Sequence, residues 1–187
     1  MKNRLANVSA HHWRPAHAAI QAPRHIRPWL KDTGSLTKRF QQVSHGHFQV
    51  ELLRQHIDRP HICEARALGI KPHLHCLVRE VLLKGANQPW VYARSIIPLT
   101  TLKGRLLRFK NLANRSLGEL LFKDPSIQRR AMQYSAFKSL TIAEMTYKNN
   151  WARRSVFLLG GKPLLVNEVF LQGFSETLTT YHNTHNI

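Results

Sequence analysis

The sequence predicts an α+β fold built on a single antiparallel β-sheet with helices packed on it. Segments rich in alternating, branched and aromatic residues, typical of strands, occur before and after residues 100–123, and short turns join most of the neighbouring strands. Two of the three helix-like segments lie between residues 100 and 123 instead of alternating with the strands. This order argues against a repeating strand–helix–strand pattern and favours antiparallel pairing.

The elements before residue 100 are one short helix and three strands. Residues 35–42 begin with a serine that can cap a helix. Residues 47–57 start with the alternation of a strand. Residues 74–85 and 88–99 are rich in branched and aromatic side chains, and a Gly-Ala-Asn turn separates them. We therefore predict a hairpin at 74–99.

The elements after residue 100 are two short helices and three strands, and the last two strands form a second hairpin. They are predicted at 100–109 and 116–122 for the helices, and at 127–137, 151–159 and 162–171 for the strands. Gly160 and Gly161, followed by Lys-Pro, give a strong turn signal between two apolar runs. The last two strands are therefore expected to pair directly.

Composition places the chain among globular proteins of one domain. It has 187 residues, 43% of them hydrophobic and 20% charged, which is enough for a core and too short for two ordinary domains. No apolar run is long enough to cross a bilayer, and the N-terminus lacks the apolar segment of a secretory signal. We therefore expect a cytoplasmic monomer without a membrane span.

The net charge of +18, from 28 Lys and Arg against 10 Asp and Glu, is the unusual feature of the composition. Such a charge is typical of nucleic-acid-binding proteins, and residues 103–115 carry five cations in a segment that can form a helix. No helix-turn-helix, zinc-finger or aromatic RNA-binding motif accompanies them. A solvated basic face is preferred, and no specific nucleic-acid partner is expected.

The ends of the chain differ in composition from its middle. The first 28 residues contain five cations, four histidines, three prolines and no acidic residue, so they have little to bury. We expect a loosely ordered N-terminal extension at 1–28, one folded domain at 29–173 and a polar C-terminal tail at 174–187. The composition of the extension also resembles that of an organellar transit peptide.

Two charged residues lie within apolar strands, and they are the first candidates for a site. Arg79 shares its strand face with Leu77, Val81 and Leu83, and Glu168 has apolar neighbours two positions to each side. A small ligand would satisfy the guanidinium with an anionic group and the carboxylate with a hydroxyl. The alternatives are that the two residues pair with each other or that Glu168 is solvated on an edge strand.

A histidine- and cysteine-rich stretch at 61–76 is the candidate for a metal site. It offers up to five zinc-type ligands, at positions 61, 63, 73, 75 and 76, but without C-x-x-C spacing. Because twelve histidines are spread through the chain, chance clustering is the preferred explanation, and no metal is expected. The sequence also lacks a nucleophile elbow and a glycine-rich phosphate loop before a helix.

Five segments, in this order, resemble the chorismate lyase family. They are "WLKDTGSLTKRF" (29–40), "LVREVLL" (77–83), "PWVYARSIIP" (89–98), "RSLGELLF" (115–122) and "WARRSVFLLGGKPLLVNEVFL" (151–171). The resemblance covers most of the chain. It implies an antiparallel sheet with inserted helices that cover a buried ligand pocket, and a cofactor-free enzyme that converts chorismate to 4-hydroxybenzoate and pyruvate for ubiquinone biosynthesis.

The resemblance also assigns roles to residues. It implies that Arg79 binds the ring carboxylate and that Glu168 meets the hydroxyl and ether side of the ring, as a general acid or as a base. It implies further contacts from the backbone of Leu36 and Leu117, in segments that cover the pocket. Leu36 stands where family members often have methionine, which is harmless if the contact is made by the backbone.

Three further arginines are candidates for the site, and two functions other than the lyase activity remain as alternatives. Arg94, Arg153 and Arg154 can attract a dianionic substrate, or they have structural or solvated roles. The chain can instead be a non-enzymatic domain that binds a small aromatic acid, since effector domains of bacterial regulators resemble this fold, although 28 residues before Trp29 are too few for a winged helix. Nucleic-acid binding through the +18 charge is the third function.

Overall fold

The computed structural model describes residues 13–15, 19 and 21–185, which form one seven-stranded sheet and its covering helices. The strands are β1 (Phe48–Asp58), β2 (Cys76–Gly85), β3 (Gln88–Pro98), β4 (Ile127–Arg129), β5 (Gln133–Ile142), β6 (Met145–Leu159) and β7 (Lys162–Phe170). The helices are α1 (Arg27–Leu30), α2 (Leu36–Val43), α3 (Ile62–Leu68), α4 (Leu117–Lys123) and α5 (Gln172–His185), and a 3₁₀ helix spans Gly104–Asn111.

The strand order places the last strand inside the sheet. The strands lie in the order β1-β2-β3-β7-β6-β4, with β5 also paired to β6. All of these pairings are antiparallel. The predicted α+β fold is therefore confirmed. Because β7 has neighbours on both sides, the alternative that placed Glu168 on an edge strand is wrong.

The predicted glycine hairpin joins β6 to β7. Gly160 and Gly161 form its two-residue turn, with φ angles of 56° and 77°. A type I′ turn needs positive φ at both central residues, a conformation that glycine adopts without steric cost. The turn fixes the register of the two strands, and in this register Arg153 of β6 lies opposite Glu168 of β7.

The helix predicted at 35–42 is present as α2, and the serine that the sequence indicated is its N-cap. The Ser35 side chain accepts a hydrogen bond from the backbone N–H of Lys38, at 3.3 Å. Ser116 caps α4 in the same way, through the N–H of Glu119. No helix among the described residues is long and apolar enough to cross a membrane.

Three features of the fold differ from the sequence prediction. The strand predicted at 127–137 is two strands, β4 and β5, which both pair with β6. The histidine- and cysteine-rich stretch contains α3, which begins with Glu64 accepting the His61 N–H at 2.9 Å and ends at Gly69 in the left-handed conformation. Residues of the predicted polar tail belong to α5, in which Phe174 is buried.

The part of the N-terminal extension that the structure describes packs on the sheet. Residues 1–12, 16–18 and 20 of the predicted extension lie outside the described residues. Ala22 and Ile26 are buried in the core, and Arg14 forms an antiparallel bridge with Tyr134 of β5. The packed core thus includes residues before Trp29, while the domain boundaries remain a prediction.

Each face of the sheet carries its own covering layer. We call the face that bears Arg79, Glu168 and Arg153 the front face, and the face that bears Glu80 and Arg94 the back face. An aromatic cluster from α1, α2, α5 and the sheet covers one end of the front face. A mainly aliphatic cluster beneath the 3₁₀ helix and α4 covers the other end. The back face is covered by α3 and β5. The front face therefore has a gap between its two apolar clusters.

Gly85 at the end of β2 provides a test of the aromatic cluster. A Cβ atom at this position would overlap the far edge of the Trp90 indole, which is buried against Phe40 and Phe174. We predict that Gly85→Ala lowers the free energy of unfolding by about 2 kcal/mol or more, because a packed core cannot absorb the added methyl group. Urea unfolding followed by tryptophan fluorescence measures the loss.

The control is the same substitution in a Trp90→Phe background, which lacks the overlapping ring atoms. The cost of Gly85→Ala should fall there by about half or more, as expected for residues in contact. An equal cost in both backgrounds would show that contact with Trp90 is not its cause.

Candidate active site

A cavity lies in the gap between the two apolar clusters of the front face. Its volume is about 40 Å³. The lining residues are Leu36, Thr37, Arg79, Val81, Leu83, Ala93, Ser95, Ser116, Leu117, Gly118, Leu121, Phe122, Arg129, Arg153, Phe157, Val166 and Glu168. The four residues that the sequence analysis placed in a site, Leu36, Arg79, Leu117 and Glu168, therefore line the same cavity.

Arg79 is a buried guanidinium held by neutral acceptors. Its residue is 2% exposed. It donates to the side-chain oxygen of Gln55 at 3.1 Å and to the backbone carbonyls of Ala113 and Arg115 at 2.7 and 3.0 Å. Removal from water lowers the pKa of this guanidinium. Its positive charge thus faces the cavity, and no carboxylate of the described residues forms an ion pair with it.

Glu168 is paired with Arg153, its cross-strand neighbour. The Arg153 Nε donates to the Glu168 carboxylate at 2.6 Å. Arg153 is 1% exposed, and its Nη1 also donates to the carbonyls of Trp29 and Asp32, at 2.8 and 2.6 Å. Arg79 is therefore not the partner of Glu168, and the direct pairing that the sequence left open is not found. Arg153 holds the carboxylate at the cavity wall and ties the segment before α2 to the sheet.

Two helices cover the cavity, and their first residues are Leu36 and Leu117. The amide of the first residue in a helix has no partner within the helix. The Ser35 and Ser116 side chains accept hydrogen bonds from the amides of the third helical residues, Lys38 and Glu119. The amides of Leu36 and Leu117 are therefore left without a capping side chain. The hydroxyl groups of Thr37 in α2 and Ser116 lie 2.5 Å apart and share a hydrogen bond. This bond joins the two covering segments across the cavity.

Arg129 of β4 is a cavity residue that the sequence analysis missed. Its Nε donates to the Ser155 hydroxyl at 2.9 Å and its Nη1 to the carbonyl of Thr33, also at 2.9 Å. The segment "IQRR" contains two adjacent arginines, and without the strand register nothing in it shows which one turns inward. The pairing of Arg129 with Phe157 of β6 settles this.

The other two arginines considered in the sequence analysis lie on the back face. Arg94 is buried between Glu64 and Glu80, with N···O distances of 2.9 Å to each carboxylate. Tyr92 and Asn167 complete this network by donating to Glu80 at 2.6 Å and to Glu64 at 3.3 Å. Arg154 donates to Gln133 at 2.8 Å. Neither arginine lines the cavity, so both have structural roles in this fold.

The histidine- and cysteine-rich stretch does not come together as a metal centre in the part of the chain that the structure describes. No group of three His, Cys, Asp or Glu residues has a metal-binding arrangement there. Burial, together with the nearby Glu64 carboxylate, raises the pKa of the Cys76 thiol to about 12. Zinc binds the thiolate form, so this environment disfavours Cys76 as a ligand.

The chain is similar to chorismate lyases over most of its length. The family model described as "Chorismate lyase" matches residues 7–178. Proteins named probable chorismate pyruvate-lyase include one of Methylobacillus flagellatus, 39% identical over 79% of this chain and 87% of the relative. Another, of Thiobacillus denitrificans, is 40% identical over 82% and 86%. A third, of Chromohalobacter salexigens, is 37% identical over 90% and 92%.

Solved structures share the fold at low sequence identity. PhnF from Mycobacterium smegmatis matches with a TM-score of 0.55 and 13% identity, over 76% of this chain and 66% of that one. The ligand-binding domain of a GntR-family transcriptional regulator from Bordetella bronchiseptica matches with a TM-score of 0.51 and 15% identity, over 68% and 86%. At these identities the likeness concerns the fold alone.

Arg94 gives a prediction about stability. In Arg94→Met, two buried carboxylates lose their cation. We predict a loss of about 3–5 kcal/mol in the free energy of unfolding, the typical cost of leaving a buried charge unpaired. Urea denaturation measures the loss. Arg66→Met, on the exposed side of α3, is the matched control and should change stability by less than about 0.5 kcal/mol. A loss below about 1 kcal/mol in Arg94→Met would contradict the compensated network.

Cys76 gives a prediction about reactivity. In a Cys63→Ser variant, Cys76 is the remaining thiol, and with a pKa of about 12 its thiolate fraction at pH 8 is about 10⁻⁴. We predict labelling by a disulfide reagent at least about 100-fold slower in the folded protein than in urea. The absorbance of the released thiol measures both rates. Fast labelling of the folded protein would contradict the buried position of Cys76.

Proposed function

The chain belongs to the chorismate lyase family, and from this premise we propose that it eliminates pyruvate from chorismate to give 4-hydroxybenzoate. One observation carries the proposal. Three guanidinium groups and one carboxylate line a cavity that is otherwise mostly apolar, so the cavity has an excess of positive charge. Chorismate is a dianion with a hydrocarbon ring and a hydroxyl group, and it complements both the charge and the apolar walls.

Arg79 is the proposed partner of the ring carboxylate. Its three present acceptors are neutral oxygens, and a carboxylate is a stronger acceptor for a guanidinium than any of them. The uncapped first amides of α2 and α4, at Leu36 and Leu117, line the same cavity. They provide additional donors for the substrate. This arrangement holds the ring in one orientation.

Glu168 is the proposed base. The carbon that bears the chorismate hydroxyl lies opposite the ring carboxylate, and the enolpyruvyl ether is on the next carbon. Glu168 removes the proton from the hydroxyl-bearing carbon as the neighbouring C–O bond breaks. The electrons of the C–H bond complete the aromatic ring. The ether oxygen leaves with its bonding electrons, takes a proton and yields enolpyruvate, which tautomerises to pyruvate.

The Arg153 contact favours a base over a general acid. The Glu168 carboxylate accepts a hydrogen bond from the Arg153 Nε at 2.6 Å, so it acts as an acceptor in the site, as a base does. The reaction is an elimination without net redox change, and aromatisation supplies its driving force. We therefore propose that it proceeds without a cofactor. We also propose that the reaction takes place in the cytoplasm and supplies the ring of ubiquinone.

The meeting point of the two covering segments is the proposed entrance for the substrate. The hydrogen bond between Thr37 and Ser116 joins the segments there, so entry between them breaks this bond. Closure over the bound substrate then excludes water, which strengthens each electrostatic contact in the cavity.

Binding without turnover is the second candidate function. The observation that favours it is the shared fold with the ligand-binding domain of a GntR-family regulator. A binding domain needs Arg79 and an enclosed cavity, but it does not need a base.

We predict that the purified protein converts chorismate to equal amounts of 4-hydroxybenzoate and pyruvate. Glu168→Gln should lower kcat by about 10²- to 10⁴-fold, because it removes the base but keeps the shape. Arg79→Met should raise KM by about 10- to 100-fold, because it removes a charged hydrogen-bond partner. Chromatography measures 4-hydroxybenzoate, and reduction of pyruvate by lactate dehydrogenase measures the second product.

The matched controls are Glu144→Gln in the β5–β6 turn and Arg66→Met on α3, both exposed. Their kinetic constants should stay within about two-fold of the wild type. Tight binding of 4-hydroxybenzoate without release of pyruvate from chorismate would favour the binding domain. Full activity in Glu168→Gln would exclude Glu168 as the base.

A further inference from the structure

The cavity contains one more cation than a single carboxylate of the substrate requires. Glu168 compensates Arg153, but no ion pair joins Arg79 or Arg129 to a carboxylate among the described residues. Burial lowers the pKa of Arg129, and the attraction of Glu168 offsets this effect only in part. The buried guanidinium of Arg79 and the half-buried guanidinium of Arg129 thus have no counterion among the described residues, and chorismate carries two carboxylates.

The sheet spaces these charges in a definite order. Arg79 is on β2 and Glu168 on β7, with β3 between them. Arg129 is on β4, on the other side of Glu168, with β6 between them. Neighbouring strands are about 4.8 Å apart, so each arginine is about 10 Å from Glu168 across the sheet. Along the strands, Arg79 is level with Val166 and Arg129 is level with Leu164. The Arg129 side chain reaches back toward Glu168, since its Nε donates to Ser155, which is level with Val166.

The order of charges matches the order of groups in the substrate. In chorismate the ring carboxylate is at one end, the hydroxyl and the ether oxygen lie in the middle, and the second carboxylate extends beyond the ether. With the ring carboxylate at Arg79 and the ether at Glu168, the second carboxylate points toward β4. We propose that Arg129 binds the carboxylate of the enolpyruvyl group, the part of the substrate that leaves as pyruvate. This assignment rests on the proposed function.

Arg153 is less suited to this role, although it is closer to Glu168. Its Nε is bonded to Glu168, and its Nη1 is bonded to two backbone carbonyls. Arg129 has a neutral hydroxyl and one carbonyl as acceptors, and its guanidinium carbon lies 5.1 Å from the centre of the Phe157 ring. The aromatic ring holds the guanidinium in place without neutralising it.

The experiment compares two ligands that differ in the second carboxylate. Chorismate has it, and 4-hydroxybenzoate lacks it. Arg129→Met should raise KM for chorismate by about ten-fold or more and change the Kd for 4-hydroxybenzoate by less than about two-fold. Arg79→Met should weaken both ligands. Arg130→Met is the matched control, because Arg130 is the exposed neighbour in sequence, and it should change neither constant.

A larger effect of Arg129→Met on chorismate than on 4-hydroxybenzoate distinguishes substrate binding from a structural role of Arg129. Arg129 also holds the Thr33 carbonyl in the segment before α2, so a merely structural Arg129 would weaken 4-hydroxybenzoate as much as chorismate. That result would overturn the assignment, and so would an unchanged KM in Arg129→Met. In both cases a wild-type protein that releases pyruvate from chorismate leaves the proposed function standing. A wild-type protein without turnover overturns the function, and the assignment with it.

Discussion

The contact between Arg153 and Glu168 is the interaction on which the site depends. Glu168 lies in the interior of the sheet, where an unpaired carboxylate is costly. Arg153 meets it from the next strand at 2.6 Å and reaches the carbonyls of Trp29 and Asp32 with its other end. One buried side chain thus pairs with a carboxylate at the cavity wall and fixes the segment that leads into α2. The position of the covering helix and the position of the proposed base therefore depend on the same arginine.

Charged groups have different partners on the two faces of the sheet. On the back face, Arg94 is enclosed by Glu64 and Glu80, and Tyr92 and Asn167 satisfy remaining acceptors. The charged groups of this network bind one another, so none of them is left for a ligand. On the front face, the cations outnumber the carboxylate and bond mainly to neutral oxygens. Uncompensated charge beside an apolar cavity is a feature of binding sites, because a ligand of opposite charge is needed to satisfy it.

The cavity residues account for only a small part of the net charge of +18. The positive residues of the front-face cavity are few and specific, whereas most of the remaining Lys and Arg residues are on the surface. A basic surface attracts anions over a distance of about one Debye length, roughly 8–10 Å in physiological salt. In the proposed function this attraction favours encounter with the anionic substrate, while recognition depends on the guanidinium groups that line the cavity.

The sequence by itself determined the fold class, the glycine hairpin, the serine cap of α2 and two of the charged residues of the cavity. These features are local: a period of two, a pair of glycines or a capping serine acts within a few residues. Arg79 and Glu168 stood out because each interrupts an apolar strand. Only the tertiary structure decided that Arg153 and not Arg79 pairs with Glu168, that Arg94 faces away from the cavity and that Arg129 faces into it. The reason is that strand order and register, which bring residues far apart in the chain onto one face, depend on the packing of the whole sheet and leave no mark in any single segment.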